Sequence, residues 1–292
     1  MSLPEIIVGV DGSPASRTAL QWAAKEAVHR NNELVVVHVY DWRVIGARAP
    51  IGGAYADDAR AHAEAMVESA VVDARTFAPG VNVRGEAMLG SPGPTLVSAS
   101  TNGPVVVGSR GHGGFASLLL GSVSQQVATH AAGPVVVVRG RPDIEGGPIV
   151  VGVDGSESAN HALGVAFEEA VARGTGVVAI RVYTPASPPW GSRMTPYVED
   201  REERRTAEHN ILLDGIAQWK DKYSDVPVEA VVVDGHPAEV LAGVSATAQL
   251  VVVGTRGHGG FAGLLLGSVG LQLLHHADCP VLIARASEAS DG

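Results

Sequence analysis

The residues best suited to chemistry lie in two copies of a glycine-rich stretch. The first copy is Gly108-Ser-Arg-Gly111-His-Gly-Gly-Phe-Ala-Ser-Leu-Leu-Leu-Gly121-Ser122, and the second, Gly254 to Ser268, has glycines at the same spacing. Each copy follows an apolar run that ends in glycine and precedes a stretch typical of a helix. Glycine lets the backbone approach a ligand closely, and the N–H groups of such a loop and of a helix start bind anions. The pattern therefore predicts a phosphate-binding loop in each half rather than two flexible turns.

Two better-known phosphate motifs do not account for these loops. The chain contains no G-x-x-x-x-G-K-[ST], which excludes a Walker-type NTPase. Residues 111–116 match the loose G-x-G-x-x-G/A pattern of dinucleotide-binding proteins. However, they follow the fourth predicted strand rather than the first, and no acidic residue is placed to bind a ribose, so we regard that match as accidental.

The loops belong to a unit that occurs twice. Residues 6–13 match residues 149–156 at an offset of 143, and the loops match at 146. We expect domains at 1–142 and 147–287 with a linker at 143–146. In each copy, apolar strands alternate with helical patterns, which predicts a five-stranded, parallel, doubly wound α/β sheet. Irregular segments at 41–55 and 184–197 follow the second strands.

The first helix of each copy shows an apolar stripe at helical spacing, which should pack on the sheet. Its members are Leu20, Ala23, Ala24, Ala27 and Val28 in the first copy, and Leu163, Ala166, Phe167, Ala170 and Val171 in the second. Ser13 followed by Pro14 is typical of a helix start, with the serine as the capping residue.

Asp11 and Asp154 end the first strand of each copy, and the glycine loops follow the fourth strand. These strands are neighbours where the strand order of such a sheet reverses, so each carboxylate should share a crevice with its loop. A carboxylate repels phosphate but can accept hydrogen bonds from ribose hydroxyls or an adenine amine. The Asp-Gly-Ser sequence is equally consistent with a turn that only caps the first helix, and the residues alone leave both interpretations open.

Composition excludes several classes of protein. The net charge is −10, with 11 basic and 11 acidic residues up to Pro142 and 10 basic against 20 acidic residues beyond it. An acidic chain with 4% aromatic residues and no basic cluster is a poor candidate for nucleic-acid binding. No apolar stretch is long enough to span a bilayer, and a single cysteine forms no internal disulfide. We expect a soluble cytoplasmic protein that binds neither nucleic acid nor membrane.

The pattern G-x2-G-x9-G-[ST] after the fourth strand, with Asp closing the first, resembles the ATP-binding universal stress protein family. The tandem arrangement is similar to two-domain members from mycobacteria and other actinobacteria. The resemblance implies Rossmann-like, adenine nucleotide alpha hydrolase-like domains of strand order 3-2-1-4-5. It also implies one ATP per domain, with Mg²⁺ or Mn²⁺ held mainly through the phosphates. Pairing of the last strands, Pro134 to Arg139 and Pro280 to Arg285, would make an internal pseudo-dimer, to which a homodimer of two chains could be added.

The resemblance assigns binding residues by position. At the adenosine end these are Gly9, Val10, Asp11 and Val39, and in the second half Gly152, Val153, Asp154 and Val182. Around the ribose and phosphates they are Gly108, Ser109, Arg110, Gly111, His112, Gly113, Gly114, Gly121, Ser122 and Val123. Their counterparts are Gly254, Thr255, Arg256, Gly257, His258, Gly259, Gly260, Gly267, Ser268 and Val269. The hydroxyls of Ser122 and Ser268 could also ligate the metal.

Some of these side chains have a second interpretation. Arg110 and Arg256 either neutralise phosphate or point into solvent. His112 and His258, between loop glycines, are typical of exposed side chains. Gly108→Ala should weaken nucleotide binding in the first half, on the expectation that a Cβ would occupy space needed by ribose or phosphate.

The loops lack the residues that a phosphoryl-transfer enzyme needs. No paired carboxylates or lysine stand near them, and nothing in the sequence activates the hydroxyls of Ser109 and Thr255. We therefore predict no catalytic residue and a nucleotide-dependent regulator in stress response or growth control, sensed by a protein partner. The alternatives are a slow ATPase or autophosphorylating phosphotransferase, and an interaction module that binds no nucleotide.

Overall fold

The structure, a computed structural model, describes residues 5–41, 54–111, 120–144, 146–184, 201–257 and 265–285. The irregular segments predicted at 41–55 and 184–197 lie almost entirely outside the described residues. The first half contains β1 (Glu5–Gly9), α1 (Pro14–Arg30), β2 (Glu33–Tyr40), α2 (Ala54–Phe77), β3 (Asn82–Leu89), α3 (Pro92–Ala99), β4 (Val105–Gly108), α4 (Ser122–His130) and β5 (Val135–Val138). The second contains β6 (Ile149–Gly152), α5 (Glu157–Arg173), β7 (Val177–Tyr183), α6 (Arg201–Lys222), β8 (Val228–Asp234), α7 (Pro237–Val244), β9 (Leu250–Gly254), α8 (Ser268–His276) and β10 (Val281–Ala284). None of the described helices combines the length and the apolar character that crossing a membrane requires.

The described strands form one sheet in the order β3-β2-β1-β4-β5-β10-β9-β6-β7-β8. Each half therefore has the order 3-2-1-4-5, and all pairs within a half are parallel, which confirms the predicted fold. β1 pairs with β2 on one side and with β4 on the other. The strand order reverses between β1 and β4, where ligands bind in sheets of this type.

The two halves join through their last strands, as the resemblance to the family implied. β10 pairs antiparallel with β5, so that Val281 lies opposite Val137 and Ile283 opposite Val135. Each strand covers the apolar edge of the other, which would otherwise offer unpaired backbone groups to another chain. Because the junction is antiparallel, the carboxyl ends of the strands in the two halves point in opposite directions. Association of two whole chains stays a prediction.

The stripe of α1 is buried except at its last member. Leu20 and Ala27 are buried, whereas Val28 is 43% exposed, and its counterpart Val171 on α5 is 55% exposed. The predictions for these two valines were wrong. α1 packs on the other half as well as on the sheet, where Arg173 lies over the ring of Trp22. Its buried face therefore includes Trp22 and Glu26 and points away from Val28.

A cluster of four charges, with both carboxylates buried and both arginines partly exposed, joins α1 to α5 across the domain boundary. Arg30 contacts Glu26 on its own helix and lies 2.6 Å from Glu169 Oε1 across the boundary. Arg173 mirrors it, 3.3 Å from Glu169 Oε2 and 2.5 Å from Glu26 Oε2. Burial, followed by the charge of Glu26, raises the pKa of Glu169. The two halves thus share a charged contact as well as a sheet.

Candidate functional site

The carboxylate that follows β1 organises the turn into α1. Asp11 Oδ1 accepts a hydrogen bond from the Ser13 N–H at 3.0 Å. Ser13 Oγ in turn accepts from the Ser16 N–H at 3.1 Å and is the N-cap of α1. The predicted helix start at Ser13 and Pro14 is confirmed. The cap itself is the serine, and Asp11 holds the turn that presents it.

The second half repeats this turn with one additional hydrogen bond. Asp154 Oδ1 accepts from the Ser156 N–H at 2.9 Å and from the Ser156 hydroxyl at 2.6 Å. Ser156 Oγ also accepts from the Ala159 N–H at 3.2 Å and caps α5. In both halves, a backbone N–H therefore holds Oδ1 of the aspartate in place. This hydrogen bond also fixes the orientation of the second carboxylate oxygen, Oδ2.

The second oxygen of each aspartate lies against the glycine loop. A Cβ added to Gly111 would collide with Asp11 Oδ2, and one added to Gly257 would collide with Asp154 Oδ2. The capping hydroxyl Ser13 Oγ also donates to the carbonyl oxygen of Arg110 at 3.4 Å. The structure thus brings the carboxylate and the start of the loop together, as strand order predicts, and a Cβ at 111 or 257 would press on that carboxylate.

Gly108 and Gly254 serve a different purpose from the one expected. A Cβ on Gly108 would lie 2.6 Å from the carbonyl carbon and oxygen of Ala15, and one on Gly254 would lie 2.7 Å from the carbonyl oxygen of Ser158. These glycines let the strand ends pack against the first turns of α1 and α5. The physical reason given above for Gly108→Ala was therefore wrong: its Cβ would meet the protein backbone before any ligand.

A backbone hydrogen bond joins the two ends of each loop just before the next helix begins. The Gly121 N–H donates to the Ser109 carbonyl at 2.8 Å, and the Gly267 N–H donates to the Thr255 carbonyl at 2.7 Å. α4 then starts at Ser122 and α8 at Ser268. The N-cap residues are Gly121 and Gly267, so no side chain caps the first amides of either helix. The first amides of a helix have no partner within the helix and carry partial positive charge. Both helix starts can therefore accept an anion.

The two sites share a backbone plan but differ in their hydroxyl groups. In the second half, Ser158 Oγ accepts from the Thr255 N–H at 2.8 Å and lies 3.2 Å from Thr255 Oγ1. The first half has Ala15 at the position of Ser158, and there the Ser109 N–H donates to the Val138 carbonyl at 3.0 Å. The amide of the residue after the strand is thus engaged in both halves. Neither amide is left for a ligand.

The second half contains a well-formed crevice of about 510 Å³. Its predicted lining residues are Gly152, Val153, Asp154, Val182, Gly254, Thr255, Arg256, Gly257, Gly267, Ser268 and Val269. Sequence reasoning missed Ala159, Ile180, Pro237, Leu241, Val253 and Gly270, which also line it. Ile180 lies two residues before Val182 on β7 and so on the same face, a period-two relation that could have identified it. The volume is within the usual range for small-molecule sites.

In the first half, Val10 and Val39 are buried beside the corresponding strand ends. A Cβ on Gly9 would lie 2.8 Å from Leu96 Cδ1, as one on Gly152 would from Leu241 Cδ1. The floor of the first site is therefore built like that of the second.

Several predicted residues lie outside the described part of the chain. These are His112, Gly113, Gly114, His258, Gly259 and Gly260. Within the described ranges, no group of three or more His, Cys, Asp or Glu side chains is arranged to hold a metal ion.

Comparison with known proteins identifies relatives along nearly the whole chain. The model of the universal stress protein family matches residues 4–139 and 147–285. Universal stress protein Rv1996 of Mycobacterium tuberculosis is 37% identical over 96% of this chain and 94% of its own. Rv2005c of the same organism is 38% identical over 97% of each chain. A crystal structure of a universal stress protein from Archaeoglobus fulgidus superposes with a TM-score of 0.72 at 20% identity, covering 98% of this chain and 99% of that one.

Proposed function

Because the chain belongs to the universal stress protein family, we propose that each half binds one ATP and that the protein acts in the cytoplasm as a nucleotide-dependent regulator of stress response or growth. One observation carries the proposal: in both halves an aspartate, a glycine loop and a helix start without a side-chain cap meet where the strand order reverses. An aspartate and a positively polarised helix start suit opposite ends of one nucleotide.

The described residues of the second crevice suggest how the ligand would lie. Val153 and Val182 border an apolar pocket suited to an adenine, and Asp154 can accept hydrogen bonds from ribose hydroxyls. The start of α8 at Ser268 and the guanidinium of Arg256 would face the phosphates. When bound, the nucleotide would supply the phosphate oxygens that chelate Mg²⁺ or Mn²⁺, with the hydroxyl of Ser268 as one further ligand. The first half offers the corresponding residues.

The chemistry of the crevice supports storage of the nucleotide rather than its turnover. Among the described lining residues, Asp154 is the one carboxylate and Arg256 the one cation. Asp154 accepts from Ser156 through Oδ1, and the proposed pose assigns its other oxygen to the ribose, at the end of the nucleotide away from the reacting phosphate. Phosphoryl transfer needs a residue that orients the nucleophile as well as charge neutralisation. We infer that the bound state itself is the signal, detected by a protein partner.

The test is to identify what the purified chain retains and what it does with it. Nucleotide is released by heat and identified, then Mg·ATP binding is measured by titration calorimetry and ADP formation is followed over hours. We expect two ATP per chain and negligible turnover. Steady ADP production would favour a slow ATPase instead, and a protein that neither retains nor binds nucleotide would favour an interaction module. Parallel titrations with ADP, AMP and cyclic AMP show whether the triphosphate is what the loops recognise.

A further inference from the structure

Two arginines at corresponding places cross from one half to the other. Arg139 follows β5, and its Nη1 donates to the carbonyl oxygen of Leu273 in α8 at 2.9 Å. Arg285 follows β10, and its Nη2 donates to the carbonyl oxygens of Ala128 and Thr129 in α4 at 2.6 and 2.8 Å. α4 and α8 are the helices whose first residues close the glycine loops. Each arginine therefore contacts the loop helix of the opposite half.

The contacted carbonyls lie in the last turn of each helix. The Leu273 carbonyl also accepts from the Ala277 N–H at 2.9 Å. Carbonyls in the last turn of a helix carry partial negative charge, so a cation there is stabilising. α4 and α8 have nine residues each, which places the two ends of either helix about 13 Å apart. The guanidinium thus binds one end of a short helix whose other end faces the anion site.

Keeping the guanidinium groups of Arg139 and Arg285 charged at the boundary between the two halves is energetically unfavourable. Arg139 and Arg285 each have a buried Nε atom without a hydrogen-bond partner. Burial lowers the pKa of both arginines. The charge of Asp278 partly offsets this at Arg139, whereas the positive charges of Arg110 at Arg139 and of Arg256 at Arg285, each in the loop of the same half, lower the pKa further. A neutral side chain of similar length would fill the same space without this penalty. The unfavourable burial of each guanidinium is explained if its charge stabilises the helix whose carbonyl oxygens it contacts.

We propose that Arg139 and Arg285 are positioning residues for the phosphate sites, each supporting the loop helix of the half to which it does not belong. The proposal rests on the proposed function, because the ligand it concerns is the phosphate bound at the start of α4 or α8. Arg139 fixes the far end of α8 and so the direction of its first amides in the second site. Arg285 does the same through α4 for the first site.

The crossed arrangement allows a crossed experiment on the full chain. Ser122→Asp disables the first site and Ser268→Asp the second, so that Mg·ATP titration reports one site at a time. With only the second site active, Arg139→Met should weaken binding about twofold to fivefold, the range expected for a cation at a helix end, and Arg285→Met, whose charge interacts with Arg256, should change it by a smaller factor. With only the first site active, the two effects should exchange. Methionine keeps the apolar stem and removes the charge.

Two controls separate positioning from damage to the boundary. Arg141 also donates across it, to the carbonyl of Ala246, which lies outside both loop helices, so Arg141→Met should leave both affinities within twofold. Arg139→Lys and Arg285→Lys, which keep the charge, should recover most of the lost affinity. Thermal unfolding shows whether each variant is folded.

The possible outcomes are distinguishable. Equal losses at both sites for each arginine variant, or no loss at either, would overturn the positioning role while leaving nucleotide binding intact. If the unsubstituted chain binds no Mg·ATP at all, the proposed function itself fails, and this inference fails with it.

Discussion

The start of α8 offers the sharpest test of the anion site, through Ser268→Asp. Ser268 is the first helical residue, is exposed, and lines the second crevice. An aspartate in the first turn of a helix interacts favourably with the partial positive charge there, by about 0.3–1 kcal/mol. The substitution should therefore leave the folded state as stable as before or slightly more so, while placing a negative charge where we expect phosphate.

The size of the effect follows from the charges. A carboxylate about 5 Å from one phosphate charge, at an effective dielectric constant of about 20, is repelled by about 3 kcal/mol. Salt at physiological concentration reduces this to about 2 kcal/mol, which corresponds to about 30-fold in the dissociation constant. Ser268→Asn, which has a similar shape without the charge, should change affinity by less than about threefold. Gln272→Glu, on an exposed position one turn further along α8, controls for added charge alone.

The assay is titration calorimetry with Mg·ATP, paired with urea unfolding of the same preparations. We expect Ser268→Asp to lose one of two binding events while its unfolding midpoint is maintained or rises. Two tight sites in this variant would refute the assignment of the phosphate to the start of α8. So would a loss of binding that occurs only together with a loss of stability.

Three further predictions follow from the contacts described above. Gly108→Ala should destabilise the protein without nucleotide by about 1–3 kcal/mol, because its Cβ would press on the backbone of Ala15; urea unfolding of the free protein measures this. Burial and then Glu26 raise the pKa of Glu169, so the folded chain keeps this proton in a pH range just above the ordinary carboxyl value, where the unfolded chain has lost it. The contribution of Glu169 to unfolding free energy should therefore fall as pH rises through that range, and Glu169→Gln should flatten this part of a stability–pH profile. Burial raises the pKa of Cys279 to about 12, so a thiol reagent at pH 8 should label it only after unfolding.

The alternation of strands and helices could be predicted from local patterns, whereas the strand order 3-2-1-4-5 was implied by the resemblance to the family. Continuous β-branched runs, exemplified by β1, alternate with helices that carry an apolar stripe, and right-handed crossovers leave few arrangements. The pairing of the last strands was likewise implied by the resemblance to the family. The alternating elements depend on residues near one another in the chain, and the crossovers follow a rule that applies to all such sheets.

Contacts between the two halves could not be predicted from local sequence patterns. Glu26 and Arg30 are four residues apart on α1, a spacing typical of an ion pair on an exposed helix surface. The structure instead packs the pair against Glu169 and Arg173, 143 residues further along the chain, and buries Glu26. Only the packing of α1 on α5 brings the two pairs together. The same packing turns Val28 outward, against the prediction from its spacing.

The position of the anion site also depends on information that glycine spacing does not contain. The pattern Gly108 to Gly111 suggests that amides immediately after the strand hold the phosphate. Yet the Ser109 amide binds the Val138 carbonyl, and the Thr255 amide binds Ser158. Because these donors are engaged within the protein, the described donors best placed for an anion are the first amides of α4 and α8. The helix start, rather than the strand end, should then dominate phosphate affinity in both halves, and substitutions at Ser122 and Ser268 should act on it more directly than any change at Gly108 or Gly254.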